Sequence, residues 1–166
     1  MKLLKRLFGI PEKEDLKGIS LLKGENWRVT GVEDSVKLFR SIYDLVPEGS
    51  VLLLEGGAAP EHLESFFEEY KSTKITKVAP GTIWPYSDGV HLSVTNDMCM
   101  KLSELAMNLA EPEIGIHIHV YKDDTVLLEW HDAFDEDLYI SRFVEESDVK
   151  KFCDFNLATY KLFSYP

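Results

Sequence analysis

The feature that most constrains the fold is a group of three closely spaced strand-like segments in the second half of the chain. Residues 114–121, 125–131 and 138–143 are rich in apolar and aromatic side chains, and only short loops separate them. Parallel strands need a crossover of about a dozen residues or more, so loops this short permit only antiparallel pairing. The sequence therefore predicts an antiparallel meander.

The parity of the side chains predicts which residues of the meander share a face. Successive side chains on a strand point to opposite faces, so the apolar positions of two paired strands must lie on the same buried side. We predict a three-residue loop, 122–124, that sets His117 opposite Glu129. In this register one polar face carries four ionisable side chains: His117, His119, Glu129 and His131.

Helices are predicted wherever apolar residues recur every three or four positions. Thr95 or Asn96 is expected to cap the third helix and Ser147 the last, because short polar side chains accept hydrogen bonds from the first helical N–H groups. The last helix is predicted to run close to the C-terminus. The four apolar patterns cover residues 32–43, 63–70, 98–109 and 149–160.

The first half of the chain alternates strand-like and helical patterns. Residues 50–55 are almost continuously apolar, as in a central strand, and residues 90–94 alternate. Weaker strand patterns occur near 27–30 and 75–78. Together these patterns predict a single α+β domain over residues 1–166. It has a mixed sheet ending in an antiparallel meander, helices packed mainly on one face, and a C-terminal helix, with the strand order left open.

The charge balance narrows the classes of partner. The chain of 166 residues has a formal net charge of −11. Nucleic-acid binding needs a surplus of Lys and Arg on one surface, so no nucleic-acid partner is expected. Residues 1–12 are predicted to form a short peripheral amphipathic helix docked on the domain. A membrane partner is not expected, because no stretch approaches the roughly 20 apolar residues of a membrane span.

The two cysteines predict a reducing environment. Cys99 and Cys153 lie in helical patterns and match neither a disulfide framework nor a zinc-binding spacing. A cytoplasmic location follows from this cysteine usage.

The polar face of the meander has two interpretations. Three imidazoles and a carboxylate within reach of one another are the side chains that bind zinc or another divalent metal. A metal-dependent hydrolase would then use His117, His119 and His131 as ligands and Glu129 as the general base. Alternatively, His and Glu simply face water on an open antiparallel sheet, which also suits a partner-binding surface.

The acidic second half favours a function in protein binding. Residues 123–148 contain ten Asp or Glu residues and a single basic residue, Arg142, which gives a local balance of −9. Such a charge density steers basic partners toward a surface. A separate segment, residues 79–89, is rich in proline and aromatic residues, and its Trp84 and Tyr86 are candidate binding anchors.

The leading hypothesis is therefore a non-enzymatic, cytoplasmic protein-interaction domain that needs no cofactor. It binds a basic protein partner through its acidic surface, and the metal-dependent hydrolase is the alternative. The residues predicted to contact the partner are Trp84, Tyr86, Asp132, Asp135 and Asp137.

Overall fold

The computed structural model describes residues 24–56, 63–74, 89–123 and 125–164. The strands are β1 (Glu25–Thr30), β2 (Val51–Glu55), β3 (Val90–Ser93), β4 (His117–Lys122), β5 (Thr125–Trp130), β6 (Leu138–Ser141) and β7 (Thr159–Ser164). The helices are α1 (Ser35–Leu45), α2 (Glu64–Tyr70), α3 (Asn96–Ala106), α4 (Glu111–Ile114) and α5 (Glu146–Asn156). The predicted helix at 1–12 and the predicted strand at 75–78 lie outside the described residues.

The strands form one sheet in the order β3-β2-β4-β5-β6-β1-β7. The predicted α+β class is confirmed, and β4, β5 and β6 form the predicted meander. Every pairing among the described strands is antiparallel, so the sheet is antiparallel rather than mixed as predicted. The helix between β1 and β2 does not join neighbouring strands. It carries the chain past the three strands of the meander, so β1 and β2 run in the same direction but do not pair.

The connection between β4 and β5 differs from the predicted three-residue loop. Lys122 pairs with Thr125, so only residues 123–124 connect the two strands. Asp123 adopts the left-handed conformation, with a φ of 51°, as tight hairpin turns require. Aspartate tolerates this conformation better than most residues.

A β-bulge then corrects the register. Leu127 is an extra residue on β5, because Tyr121 pairs with Val126 whereas the preceding residue of β4, Val120, pairs with Leu128. The predicted pairing of His117 with Glu129 was wrong, and His119 lies opposite Glu129 instead. A two-residue loop without a bulge would place His119 and Glu129 on opposite faces of the sheet. The extra residue of the bulge keeps them on the same face.

The main hydrophobic core joins alternate side chains of the central strands to the helices. Leu52 of β2, Val120 of β4 and Leu128 of β5 belong to the same buried cluster as Phe39 of α1 and Leu102 of α3. The helices contribute because their apolar residues recur along one side of each helix. That all helices pack mainly on one face of the sheet stays a prediction.

A second, smaller cluster lies among the side chains of the opposite parity. Val51, Leu53, Tyr121 and Val126 are buried together, with Tyr139 packed against them. Val126 belongs here rather than to the main core because the bulge reverses its direction relative to Leu128. This second face of the sheet is therefore partly apolar and protected from water.

The ends of the helices show which cap predictions hold. The hydroxyl of Thr95 accepts a hydrogen bond from the Met98 N–H at the start of α3, as predicted. Ser147 does not cap α5: the N-cap residue is Glu145, which makes no side-chain capping bond. The helix begins at Glu146 rather than after Ser147, because Glu tolerates helical geometry better than Ser does.

The chain does not end with α5. Leu157 closes the helix in a left-handed conformation, with a φ of 57°. The last residues of the predicted helix, including Tyr160, form β7 instead and pair along the full length of β1. The alternating, aromatic-rich segment of β7 suits a strand, and the edge of β1 provides the partner that helix periodicity alone does not reveal.

Candidate functional site

The sheet brings five ionisable side chains together, as its strand order places β2, β4 and β5 side by side. His119 lies between Leu53 of β2 and Glu129 of β5, and Glu55 lies opposite His117. His131 follows the last residue of β5. We call this group the histidine cluster: Glu55, His117, His119, Glu129 and His131.

The three imidazoles of the histidine cluster are in mutual contact. The His131 ring lies 5.1 Å from the His119 ring and 5.5 Å from the His117 ring, measured between centroids. The His131 Nε2 atom is 2.5 Å from a carboxylate oxygen of Glu129. The His117 Nδ1 atom accepts a hydrogen bond of 3.1 Å from the backbone N–H of Asp132. The side chains predicted to share a face are thus brought together.

Three members of the cluster are buried and the other two, Glu55 and His131, are half-buried, contrary to the interpretation of an open, water-facing surface. Only 3% of His119 and 2% of Glu129 is exposed, and His117 is also buried. His131 is the most accessible imidazole, with 30% of its side chain exposed. Because ionisable groups are rarely buried without a partner or a purpose, this burial marks the cluster as a candidate site.

Burial and hydrogen bonding shift the pKa values of the three histidines in opposite directions. Burial away from water lowers the pKa of His119 to about 3, and the neighbouring His131 and His117 act in the same direction. Burial also lowers the pKa of His117. The hydrogen bond to Glu129 raises the pKa of His131, against the effect of burial. Burial thus favours the neutral form of His117 and His119, whereas the hydrogen bond to Glu129 favours the protonated form of His131.

One polar atom of the cluster lacks a hydrogen-bond partner. The His119 Nδ1 atom is buried and unpartnered. As the side chains lie, no group of three or more His, Cys, Asp or Glu residues within the described parts of the chain is arranged to hold a metal ion. The use of His117, His119 and His131 as ligands and of Glu129 as a general base stays a prediction.

A fourth histidine lies on the same face but makes a separate contact. His91 of β3 is opposite Leu53, and its Nδ1 atom is 2.9 Å from the hydroxyl of Tyr121. Sequence reasoning could not place His91, because its position depends on β3 pairing with β2. It provides a comparison for the three clustered histidines.

A second candidate site is a small pocket beside the loop between β5 and β6. Its volume is about 160 Å³. The rings of Trp130 and Phe134 pack against each other at 4.6 Å between centroids, and the Trp130 indole N–H donates to the Glu136 carbonyl. We call this the acid-rimmed pocket: an apolar floor of Val29, Trp130 and Phe134, with a rim of Glu33, Asp135, Glu136 and Asp137.

The three Asp residues that were predicted to bind a partner lie in different environments. Asp135 and Asp137 line the acid-rimmed pocket, whereas Asp132 is exposed but does not. Asp137 is already engaged inside the protein, because its Oδ2 atom accepts a hydrogen bond of 2.5 Å from the Nε of Arg28. The other two predicted contacts, Trp84 and Tyr86, lie outside the described residues.

Sequence reasoning missed two parts of the pocket. Glu33 follows β1, far from the meander in sequence, and reaches the rim only because β1 pairs with β6. Phe134 contributes a ring from a backbone with a φ of 75°, which is unusual for an aromatic residue. Neither feature has a local sequence signal.

Comparison of the chain with protein-family models, with curated proteins and with solved structures found no match. In the parts of the chain that the structure describes, no helix has the length and apolar character needed to cross a membrane. The function is therefore argued from the geometry of the two sites.

Proposed function

We propose that the protein is a non-enzymatic interaction domain that receives a Lys or Arg side chain of a protein partner in the acid-rimmed pocket. The observation that carries this proposal is the combination of an aromatic floor and a carboxylate rim in one cavity. Long basic side chains have an apolar stem and a charged head, so they match both parts of such a cavity. Aromatic rings also attract cations directly.

The charges of the rim are available to a partner. Glu33, Asp135 and Glu136 are exposed, and none of them forms an ion pair with a described residue. Charge-assisted hydrogen bonds to such carboxylates are about twice as strong as neutral ones. The local excess of acidic residues in 123–148 would add electrostatic steering toward the same loop.

The internal ion pair gives the pocket a preformed wall. Arg28 of β1 contacts Asp137 by a hydrogen bond and a salt bridge, which link the far end of the loop to the sheet. A preformed site loses less conformational entropy on binding than a flexible one. In this proposal Asp137 shapes the pocket, while Glu33, Asp135 and Glu136 contact the ligand.

The test is a binding measurement with short labelled peptides that carry one central Lys or Arg between apolar residues, read by fluorescence anisotropy. Reversing two rim charges, with Asp135→Lys and Glu136→Lys, should weaken binding by roughly tenfold or more, about 1.4 kcal/mol. A peptide with Glu in place of the central basic residue should not bind.

The matched control reverses two charges elsewhere. Glu48 and Glu104 are exposed, lie outside the pocket, and make the same change in net charge when replaced by Lys. If the control pair weakens binding as much as the rim pair, the attraction comes from the overall negative charge and the pocket has no role. Absence of binding by any basic peptide would also reject the proposal.

A cytoplasmic location is part of the same proposal. Cys99 and Cys153 are both buried and unpaired. Burial raises the pKa of each thiol to about 12, so neither is a reactive thiolate at neutral pH. Two inert thiols support a reducing, cytoplasmic location.

A further inference from the structure

A cavity between three helices carries an inference that is independent of the acid-rimmed pocket. Helix α1 contacts both α3 and α5, and residues of all three helices line the cavity, whose volume is about 630 Å³. Pockets that bind small molecules have volumes of about 300–1,000 Å³. We call it the interhelical cavity, and no described residue lines both this cavity and the acid-rimmed pocket.

All three helices contribute to an apolar part of the interhelical cavity. Leu45 of α1 and Phe152 of α5 are buried members of the main core that also line the cavity. Met100 of α3 is half-buried, and 47% of Phe155 of α5 is exposed. An apolar surface recessed between helices favours a ligand that brings an apolar group of its own.

The charged side chains of the cavity balance one another, although the chain as a whole is strongly acidic. Two are basic, Arg40 and Lys151, and two are acidic, Asp44 and Asp148. The Lys151 Nζ atom lies 2.8 Å from a carboxylate oxygen of Asp148. This hydrogen bond raises the pKa of Lys151, and Asp44 adds to the effect without pairing with it. Arg40 and Asp44 therefore remain as the charges that a ligand can engage.

Arg40 and Asp44 lie one turn apart on α1 but do not pair with each other. Opposite charges at positions i and i+4 are neighbours on a helix surface and can form an ion pair there. Neither Arg40 nor Asp44 forms an ion pair with any described residue. Both are exposed, so the cavity offers a free cation and a free anion side by side.

We propose that the interhelical cavity binds a free amino acid with a large apolar side chain. The Arg40 guanidinium binds the carboxylate of the ligand, and the Asp44 carboxylate accepts hydrogen bonds from its ammonium group. Such charge-assisted hydrogen bonds are about twice as strong as neutral ones. The apolar side chain of the ligand packs against Met100 and Phe155.

The class of ligand follows from the balance of charges. A ligand with one charge would leave either Arg40 or Asp44 unmatched, whereas a zwitterion matches both. In an amino acid the two charged groups are bonded to the same carbon atom, so one small molecule reaches two side chains that are one helical turn apart.

The experiment titrates the full-length protein with L-phenylalanine and with L-leucine, followed by two-dimensional NMR of the backbone amides. We expect saturable shifts in α1, α3 and α5 with both amino acids. Two analogues of L-phenylalanine lack one charge each: phenylalaninamide has no carboxylate, and phenylpropionate has no ammonium group. Each analogue should bind the unmodified protein more weakly by roughly tenfold or more, because one charged side chain loses its partner.

Two substitutions test which side chain engages which charge. In Arg40→Gln, L-phenylalanine and phenylalaninamide should bind equally, because the ligand carboxylate no longer has a partner. In Asp44→Asn, L-phenylalanine and phenylpropionate should bind equally, for the corresponding reason. If either substitution weakened all three ligands alike, the residue would have only a structural role and the proposal would be rejected.

The matched control is Arg142→Gln, which removes an exposed arginine outside the cavity. It should bind L-phenylalanine as the unmodified protein does. The proposal is overturned if neither amino acid gives saturable binding at millimolar concentrations, or if Arg142→Gln loses as much affinity as Arg40→Gln. Arg40 and Asp44 are exposed, so their replacement leaves the core intact, and the NMR spectrum of each variant verifies the fold.

Discussion

Replacing His119 with leucine tests whether the histidine cluster serves function at the expense of stability. His119 is 3% exposed, and its Nδ1 atom has no hydrogen-bond partner. Leucine has a similar volume, has no polar atom to bury, and resembles the apolar neighbour Leu53 on the adjacent strand. We expect His119→Leu to be more stable than the unmodified protein.

The expected magnitude follows from two opposing effects. A buried polar group without a partner destabilises a fold by about 1–3 kcal/mol. A change of side-chain shape at nearly constant volume costs less than about 1.5 kcal/mol. Taken at the middle of each range, about 2 and about 0.75 kcal/mol, the two effects predict a net gain of about 1 kcal/mol in the free energy of unfolding. For a domain of this size, this gain raises the melting temperature by roughly 2–4 °C.

The assay is urea unfolding of both proteins, followed by tryptophan fluorescence. If His119→Leu is less stable by more than about 1 kcal/mol, its imidazole makes an essential hydrogen bond through Nε2, and the reasoning is refuted.

Three further predictions concern other parts of the fold. Leu157→Gly should increase stability by about 0.5–1 kcal/mol in urea unfolding, because Leu157 is 79% exposed and has a φ of 57°, which favours glycine. Burial lowers the pKa of His91 from its usual 6.5, so NMR titration of His91 should give a midpoint below 6.5. As the pH falls below 6.5, the unfolded chain binds a proton at this residue before the folded protein does, so the free energy of unfolding decreases. Arg28→Ala should cost about 1 kcal/mol, because it leaves the half-buried Asp137 carboxylate without its partner, and a double-mutant cycle with Asp137→Asn measures the coupling.

The sequence by itself determined the antiparallel meander and the shared face of the histidine cluster. Short connections allowed only antiparallel pairing, and the apolar alternation of β4 fixed which side His117 and His119 occupy. The parity argument succeeded although the register was wrong. The face that packs against the helices in the main core must remain apolar, so a two-residue turn was compatible with the sequence only if a bulge at Leu127 compensated for it.

Tertiary structure decided how far the strands extend, which strands are neighbours, and how much of each face of the sheet is exposed to solvent. The segment around Tyr160 became a strand because the edge of β1 offered a full set of backbone partners. Glu33 joined the acid-rimmed pocket because β1 pairs with β6. The burial of His119 depends on the strands on either side of it, which bring Leu53 and Glu129 next to it. These outcomes arise from contacts between residues distant in the chain, whereas periodicity and turn chemistry report only on residues that are close in sequence.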